Sequence, residues 1–145
     1  MIATVTLNPS LDELVHLPRL YLEELNRAES FQRYPGGKGI NVSRVVHELG
    51  ARTVAIAIAG GDDGKILDRL LRQRGIPHRF VMGDGPTRNN YQLQTHAPRR
   101  LTQINGPGPH LSRLTLSHLE RRLRELPASV RCVVLSGSLP PGAPS

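Results

Sequence analysis

One short stretch constrains this chain more than any other: Tyr34-Pro35-Gly36-Gly37-Lys38-Gly39-Ile40-Asn41-Val42-Ser43, with Gly50 and Gly60 following at a distance. Three glycines clustered there let backbone N–H groups approach a ligand closely. The apolar-periodic run behind them, Ile40, Val45, Val46 and Leu49, predicts a helix whose N-terminus opens onto the glycine loop. Unpaired N–H groups at that end, with the positive end of the helix dipole, suit an oxygen-rich or anionic ligand. Asn41 adds an amide that donates and accepts hydrogen bonds at once, as sugar hydroxyls require.

A chain of 145 residues supports one domain with a real core, burying roughly 70% of its unfolded surface. Aromatic residues are only 3% and Trp is absent, so the core must be built from Leu, Val, Ile and Ala. That suits α/β layers better than an aromatic platform for bases. The net charge of +7 invites a nucleic-acid reading, but the arginines fall on the polar sides of predicted helices (Arg69, Arg72 and Arg74; Arg113, Arg121, Arg122 and Arg124). No basic tail and no aromatic interleaving accompany them. Neither nucleic acid nor membrane is expected as a partner, because no apolar run approaches the ~20 residues of a bilayer span. The N-terminus enters a strand-like run without a signal peptide's basic start, and Cys132 has no second cysteine to pair with, so a cytoplasmic location is expected. Within the apolar run Val130 to Leu135, Cys132 reads as a buried, inert thiol.

Strands are expected over Ile2 to Leu7, Arg52 to Ala59, His78 to Met82 and Arg131 to Leu135, and helices over Gly64 to Arg74 and Ser112 to Glu125. Leu116, Leu119, Leu123 and Leu126 give the last helix a leucine face. Asn90 to Thr95 and Arg100 to Ile104 flank a hairpin turn at His96-Ala97-Pro98-Arg99. Strands alternating with helices indicate a parallel sheet. Asn8-Pro9-Ser10 breaks the first strand and places Asp12 just past its end, where such sheets gather ligand-binding residues.

Two tempting motifs fail. Gly60 to Lys65 is one residue short of a P-loop, and Ile66 stands where Ser or Thr is required. Gly60-Gly61 reads instead as a turn after a strand, with Asp62 and Asp63 favourably placed at the next helix's N-terminus. The six histidines are scattered without convincing metal-ligand spacing, so no metal site is expected.

The glycine stretch resembles the first signature of the PfkB (ribokinase-like) carbohydrate kinases, with Gly50 and Gly60 at the family's spacing. Three further segments resemble its phosphosugar branch, the 1-phosphofructokinases and tagatose-6-phosphate kinases: Thr6-Leu7-Asn8-Pro9-Ser10-Leu11-Asp12, Thr87-Arg88-Asn89-Asn90 and Ser136-Gly137-Ser138-Leu139-Pro140-Pro141-Gly142. Ile104-Asn105-Gly106-Pro107-Gly108-Pro109 is similar to a 1-phosphofructokinase segment. The resemblance implies a ribokinase-like layered α/β fold, mostly parallel, with a small β lid from segments near 12–34 and 88–104. It implies a substrate site of Asp12, Gly36, Gly37, Lys38, Asn41, Arg88 and Ser138: Asp12, Gly37 and Asn41 on the sugar hydroxyls, Arg88 on the acceptor's phosphate, Lys38 adding positive charge.

Family members are about twice this length, and their catalytic base lies in a Gly-Ala-Gly-Asp motif that these 145 residues do not contain. The resemblance therefore implies the N-terminal, sugar-phosphate-binding part of a hexose-phosphate kinase, truncated before the nucleotide half. No catalytic residue is expected in this chain, and no complete site for the family's ATP and Mg²⁺. The expected partners are a phosphorylated ketohexose, a second copy through the lid, or a separate C-terminal half. Open edges left by the truncation are expected to expose apolar surface around Val133 to Leu135. A non-catalytic phosphosugar-binding or assembly protein, or a degenerate kinase fragment, are the alternatives. Taken singly, the site residues also have plainer readings: Asp12 as a loop residue, Asn41 as a helix cap, Arg88 as a surface arginine, Ser138 as turn chemistry.

Overall fold

Strand β4 (Thr53–Ala59) shows why this chain layers as it does. Its alternation sends Ile56 and Ile58 to one face and Ala57 and Ala59 to the other, and every residue of it is buried. A strand buried on both faces must have helices above and below. In the computed structural model, which describes residues 1–143, it does. The alanine face receives α1 (Lys38–Glu48) and α2 (Gly61–Gln73) through Ile40, Leu67 and Leu71. The isoleucine face packs with Val5, Val81, Leu111 and Leu119, the last from α3 (Arg113–Arg124).

The main sheet is parallel throughout, in the order β5 (His78–Met82), β4, β1 (Ile2–Thr6), β8 (Cys132–Leu135). A second, mixed sheet runs β3 (Ser30–Gly36), β2 (Ser10–Leu17), β6 (Arg88–His96), β7 (Arg99–Asn105). Its centre is a parallel β2–β6 pair, with β3 and β7 antiparallel outside. This is the expected α/β, ribokinase-like arrangement of a parallel sheet with a small β layer beside it. No helix among the described residues is long and apolar enough to cross a membrane.

Four local readings need correction. Helix α2 begins at Gly61, not Gly64, because Gly61 turns the chain directly out of β4 at φ +66° and Asp62 and Asp63 favour the first turn. The buried side of α1 is Gly39, Ile40 and Ser43, while Val45 and Leu49 are exposed. Ser43 replaces an apolar contact with a buried hydroxyl chain, 2.8 Å to Thr4 and 2.9 Å to Thr53, tying α1 to β1 and β4. Asp12 lies within a strand, the third residue of β2, not in a loop past β1. Finally, β8 is no core strand: among the described residues it pairs only with β1, and Cys132 is exposed rather than buried. Burial is a property of what lies over a strand, and an apolar run does not report it. Val133 and Leu135 are exposed, as expected for that edge.

Helix α3 starts from a built anchor. Ser112 caps it, its hydroxyl accepting from Thr115 N–H at 3.2 Å. Asp84 accepts from Ser112 N–H at 2.9 Å and from the hydroxyls of Ser112 and Thr115. The backbone N–H of Ser112, then the two hydroxyls, hold the Asp84 carboxyl below its ordinary value of 3.8. A depressed carboxylate stabilises the fold above its unfolded value and loses that contribution as pH falls through the folded one. Asp84→Asn is therefore expected to melt lower than the parent at pH 7, with the gap closing as pH drops below about 3.8 in a pH series of thermal melts. A constant gap across that range would assign Asp84 a role independent of its charge.

Candidate functional site

The period of two along β2 builds the site. Ser10 stands opposite Gly36 on β3 and Arg88 on β6; Asp12 stands opposite Tyr34 and Asn90. Opposed residues share a face, so Ser10, Asp12, Gly36, Arg88 and Asn90 all look the same way. The alternate residues Leu11, Val15 and Leu17 are buried.

Asp12 is held by two donors on one oxygen: Ser10 Oγ at 2.7 Å and Asn90 Nδ2 at 2.9 Å. Its second oxygen has no hydrogen-bond partner among the described residues. Gly36 has to be glycine here, since a Cβ would lie 2.5 Å from the Asp12 carboxyl. Gly37, at φ +119°, then turns the chain into α1. Gly39 allows α1 to sit on the end of β1, where a Cβ would meet Thr6 Oγ1 at 2.5 Å and the Val5 carbonyl oxygen at 2.8 Å. Thr6 Oγ1 accepts from Ile40 N–H at 3.1 Å, while the N–H groups of Lys38 and Gly39 have no partner among the described residues. Lys38 and Asn41 occupy that first turn and are exposed.

Arg88 is fixed from behind. Its Nη1 donates to the Gly106 carbonyl at 3.3 Å and its Nη2 to the Asn8 carbonyl at 3.4 Å. The neighbouring Thr87 locks this segment to the start of α2: its N–H donates to the Gly60 carbonyl at 2.8 Å, and its hydroxyl accepts from Gly60 N–H at 3.1 Å. Asn89 Nδ2 donates to Asp63 at 3.0 Å. Asn8, at the end of β1, donates to Ser138 Oγ at 3.3 Å, which brings the C-terminal segment to the same place.

The buried side-chain polar atoms without a partner, among the described residues, are Asn8 Oδ1, Arg88 Nε, Asn89 Oδ1 and Asn90 Oδ1. A buried polar group left unpaired costs on the order of 1–3 kcal/mol. Arg88 and Asn90 lie on the Asp12 face of the small sheet, with Asn8 joined to them through Arg88, while Asn89, opposite Leu11, faces Asp63 at the start of α2. Two acceptors, on Asn8 and Asn90, and a guanidinium donor are the complement of a ligand with hydroxyls and an anionic group. Of the residues expected at the site, contacts join Asp12, Gly36, Arg88 and Ser138 to this cluster, while Gly37, Lys38 and Asn41 sit on the adjoining helix entry. Asn8, Ser10 and Asn90 complete it. They stand in the very segments that carry Asp12 and Arg88, but nothing in their local sequence shows that they meet.

The turn at the start of α2 does not suit a nucleotide's phosphates. The Gly60–Gly61 turn opens a helix whose first turn carries Asp62 and Asp63, charges that repel polyphosphate.

A parallel α/β sheet with an arginine and polar side chains gathered just past its strand ends is the arrangement in which such folds bind ligands. The profile of the pfkB family carbohydrate kinases matches residues 5–145, and the chain belongs to that family. It is 38% identical over 144 residues to 1-phosphofructokinase of Bacillus subtilis (strain 168), covering 99% of this chain and 46% of that protein. Against 1-phosphofructokinase of Xanthomonas campestris pv. campestris it is 37% identical over 141 residues, 97% of this chain and 44% of the relative. Phosphofructokinase-2 from Escherichia coli in complex with fructose-6-phosphate superposes with a TM-score of 0.92 at 35% identity, over 99% of this chain and 47% of that one. Its tetrameric inhibited form gives the same TM-score at 36% identity, again over 99% and 47%. The chain thus spans about half the length of the relatives it matches.

Proposed function

We propose that this chain is the acceptor-positioning part of an ATP-dependent ketohexose-phosphate kinase of the 1-phosphofructokinase type. The observation that carries the reading is the set of unpaired buried polar atoms on Asn8, Arg88 and Asn90, beside an Asp12 whose second oxygen has no hydrogen-bond partner among the described residues. Arg88 takes the phosphate already on the sugar, its fork seated by two carbonyls. Lys38 and the unpaired amides of α1's first turn add positive potential. Asp12, Gly37 and Asn41 hold hydroxyls, and Ser138 closes the site through Asn8. Holding an acceptor in reacting geometry contributes on the order of 7–11 kcal/mol in favourable cases. These residues orient and bind; none of them is assigned the proton transfer.

The same reading places the protein in the cytoplasm and a contact between copies on the small sheet, whose outer strand β7 is exposed along its length. The test pairs binding with turnover. Purified chain is titrated with fructose 1-phosphate, fructose 6-phosphate and tagatose 6-phosphate by thermal shift, and ADP release from ATP-Mg²⁺ is followed with each. A saturable stabilisation by one ketohexose phosphate, with no ADP release, is expected. No stabilisation by any of them would overturn the assignment; ADP release by these 145 residues alone would overturn the division of labour.

A further inference from the structure

The main sheet ends, on the side away from β8, at strand β5. Ala55 N–H donates to the Pro77 carbonyl at 2.8 Å and Gly83 N–H to the Ala59 carbonyl at 3.0 Å, so the odd-numbered residues aim their backbone at β4. By alternation His78, Phe80 and Met82 aim theirs outward, and no described residue pairs with those groups. Helices α2 and α3 stand over opposite faces of the sheet and flank this bare edge. Between them runs a cleft of about 550 Å³, with Phe80 and Met82 in its wall and Lys65, His118, Arg121 and Arg122 along its rim; its one carboxylate, Asp68, is taken by Arg72 and His78. Met82 is 74% exposed.

We propose that this edge receives an extended, acidic segment of a partner protein as a fifth strand of the main sheet. The alternation of the cleft dictates the pattern of that segment. Phe80 packs on the α2 side of the sheet and Val81 on the α3 side. An added strand therefore meets Phe80 and Met82 with one set of side chains and the α3 cations with the other. Apolar residues fit the first set and carboxylates the second. Of the cations, Lys65 is paired to Asp62 at 2.8 Å and Arg122 to Glu125 at 3.9 Å, while Arg121 has no ion-pair partner among the described residues. A second copy of this chain is a poor occupant: two-fold β5–β5 pairing would bring Arg79, Arg121 and Arg122 toward their own counterparts. Main-chain hydrogen bonds to the edge would supply affinity, and the alternating side chains specificity.

The probe is a fluorescein-labelled Glu-Val-Glu-Val-Glu-Val-Glu peptide, followed by fluorescence polarisation on the whole chain at low salt. Saturable binding is expected, weakened at least tenfold in Arg121→Glu/Arg122→Glu, two exposed positions on α3. The same variant should gain binding of the Lys-Val-Lys-Val-Lys-Val-Lys peptide, which shows that a loss is not unfolding. Of two acidic peptides N-methylated on the backbone, one at the valines and one at the glutamates, one should fail to bind. No binding of the acidic peptide to the parent chain overturns the proposal, as does equal binding of both methylated peptides, which would make the cleft a charged surface without strand addition. A dimer in sedimentation that Met82→Pro dissolves would assign the edge to a second copy and overturn it too.

Discussion

Leu67→Ala is expected to destabilise the fold by roughly 2–5 kcal/mol, the range for deleting a large aliphatic side chain in a closed core. Leu67 is fully buried, on the turn of α2 that faces Ile40, Ala57, Ala59, Leu71 and Ile76. The opposing residues on β4 are alanines, which have no rotamers with which to fill a cavity, so the upper half of that range is expected. Against a total stability of roughly 5–15 kcal/mol, this is a large fraction. The midpoint of urea unfolding should fall with little change in slope, whereas Arg69→Ala on the exposed side of the same helix should move it by about 0.5 kcal/mol or less. A Leu67→Ala midpoint within error of the parent would mean that α2 is not held on the sheet as described. The loss should also reach the site, because the start of α2 anchors Thr87 and Asn89 on either side of Arg88.

Arg88→Ala is expected to weaken sugar-phosphate binding by about 2–3 kcal/mol, the scale of hydrogen bonds to a charged group, which is roughly 30- to 150-fold. Its guanidinium is seated by the Gly106 and Asn8 carbonyls, and its buried Nε has no acceptor among the described residues. Thermal-shift titration with fructose 6-phosphate should show the ligand-dependent rise in the parent and almost none in the variant at the same concentrations. Arg88→Lys keeps the charge but not the planar fork, and should fall between the two. Undiminished binding in Arg88→Ala would move the phosphate elsewhere, Lys38 and the α1 amides being the nearest candidates.

How far these features can be read from the chain depends on how local their causes are. The central strand β4 is legible because its Ile/Ala alternation and full burial are two expressions of one period. The glycine loop is legible because Gly36, Gly37 and Gly39 each answer a backbone requirement, a close approach or a positive φ. Asp12 and Arg88 stand out by their chemical type and family pattern. Asn90 does not, since its role is to hold Asp12 from 78 residues away, across a parallel pairing that no local signal announces. Asn8 escapes for the same reason: its neighbours Arg88 and Ser138 lie 80 and 130 residues along the chain. The misreading of Cys132 has the opposite cause, a local signal taken for a global one. Four apolar residues in a row describe a strand's propensity, but among the described residues β8 has a partner on one edge only.

The most direct test is a calorimetric titration of the purified chain with fructose 6-phosphate, beside fructose and inorganic phosphate as separate ligands. If the unpaired atoms on Asn8, Arg88 and Asn90 form one acceptor site with Asp12, the phosphosugar binds at one site per chain and far more tightly than either part alone. No heat with the phosphosugar, or affinity no better than that for phosphate by itself, would contradict it.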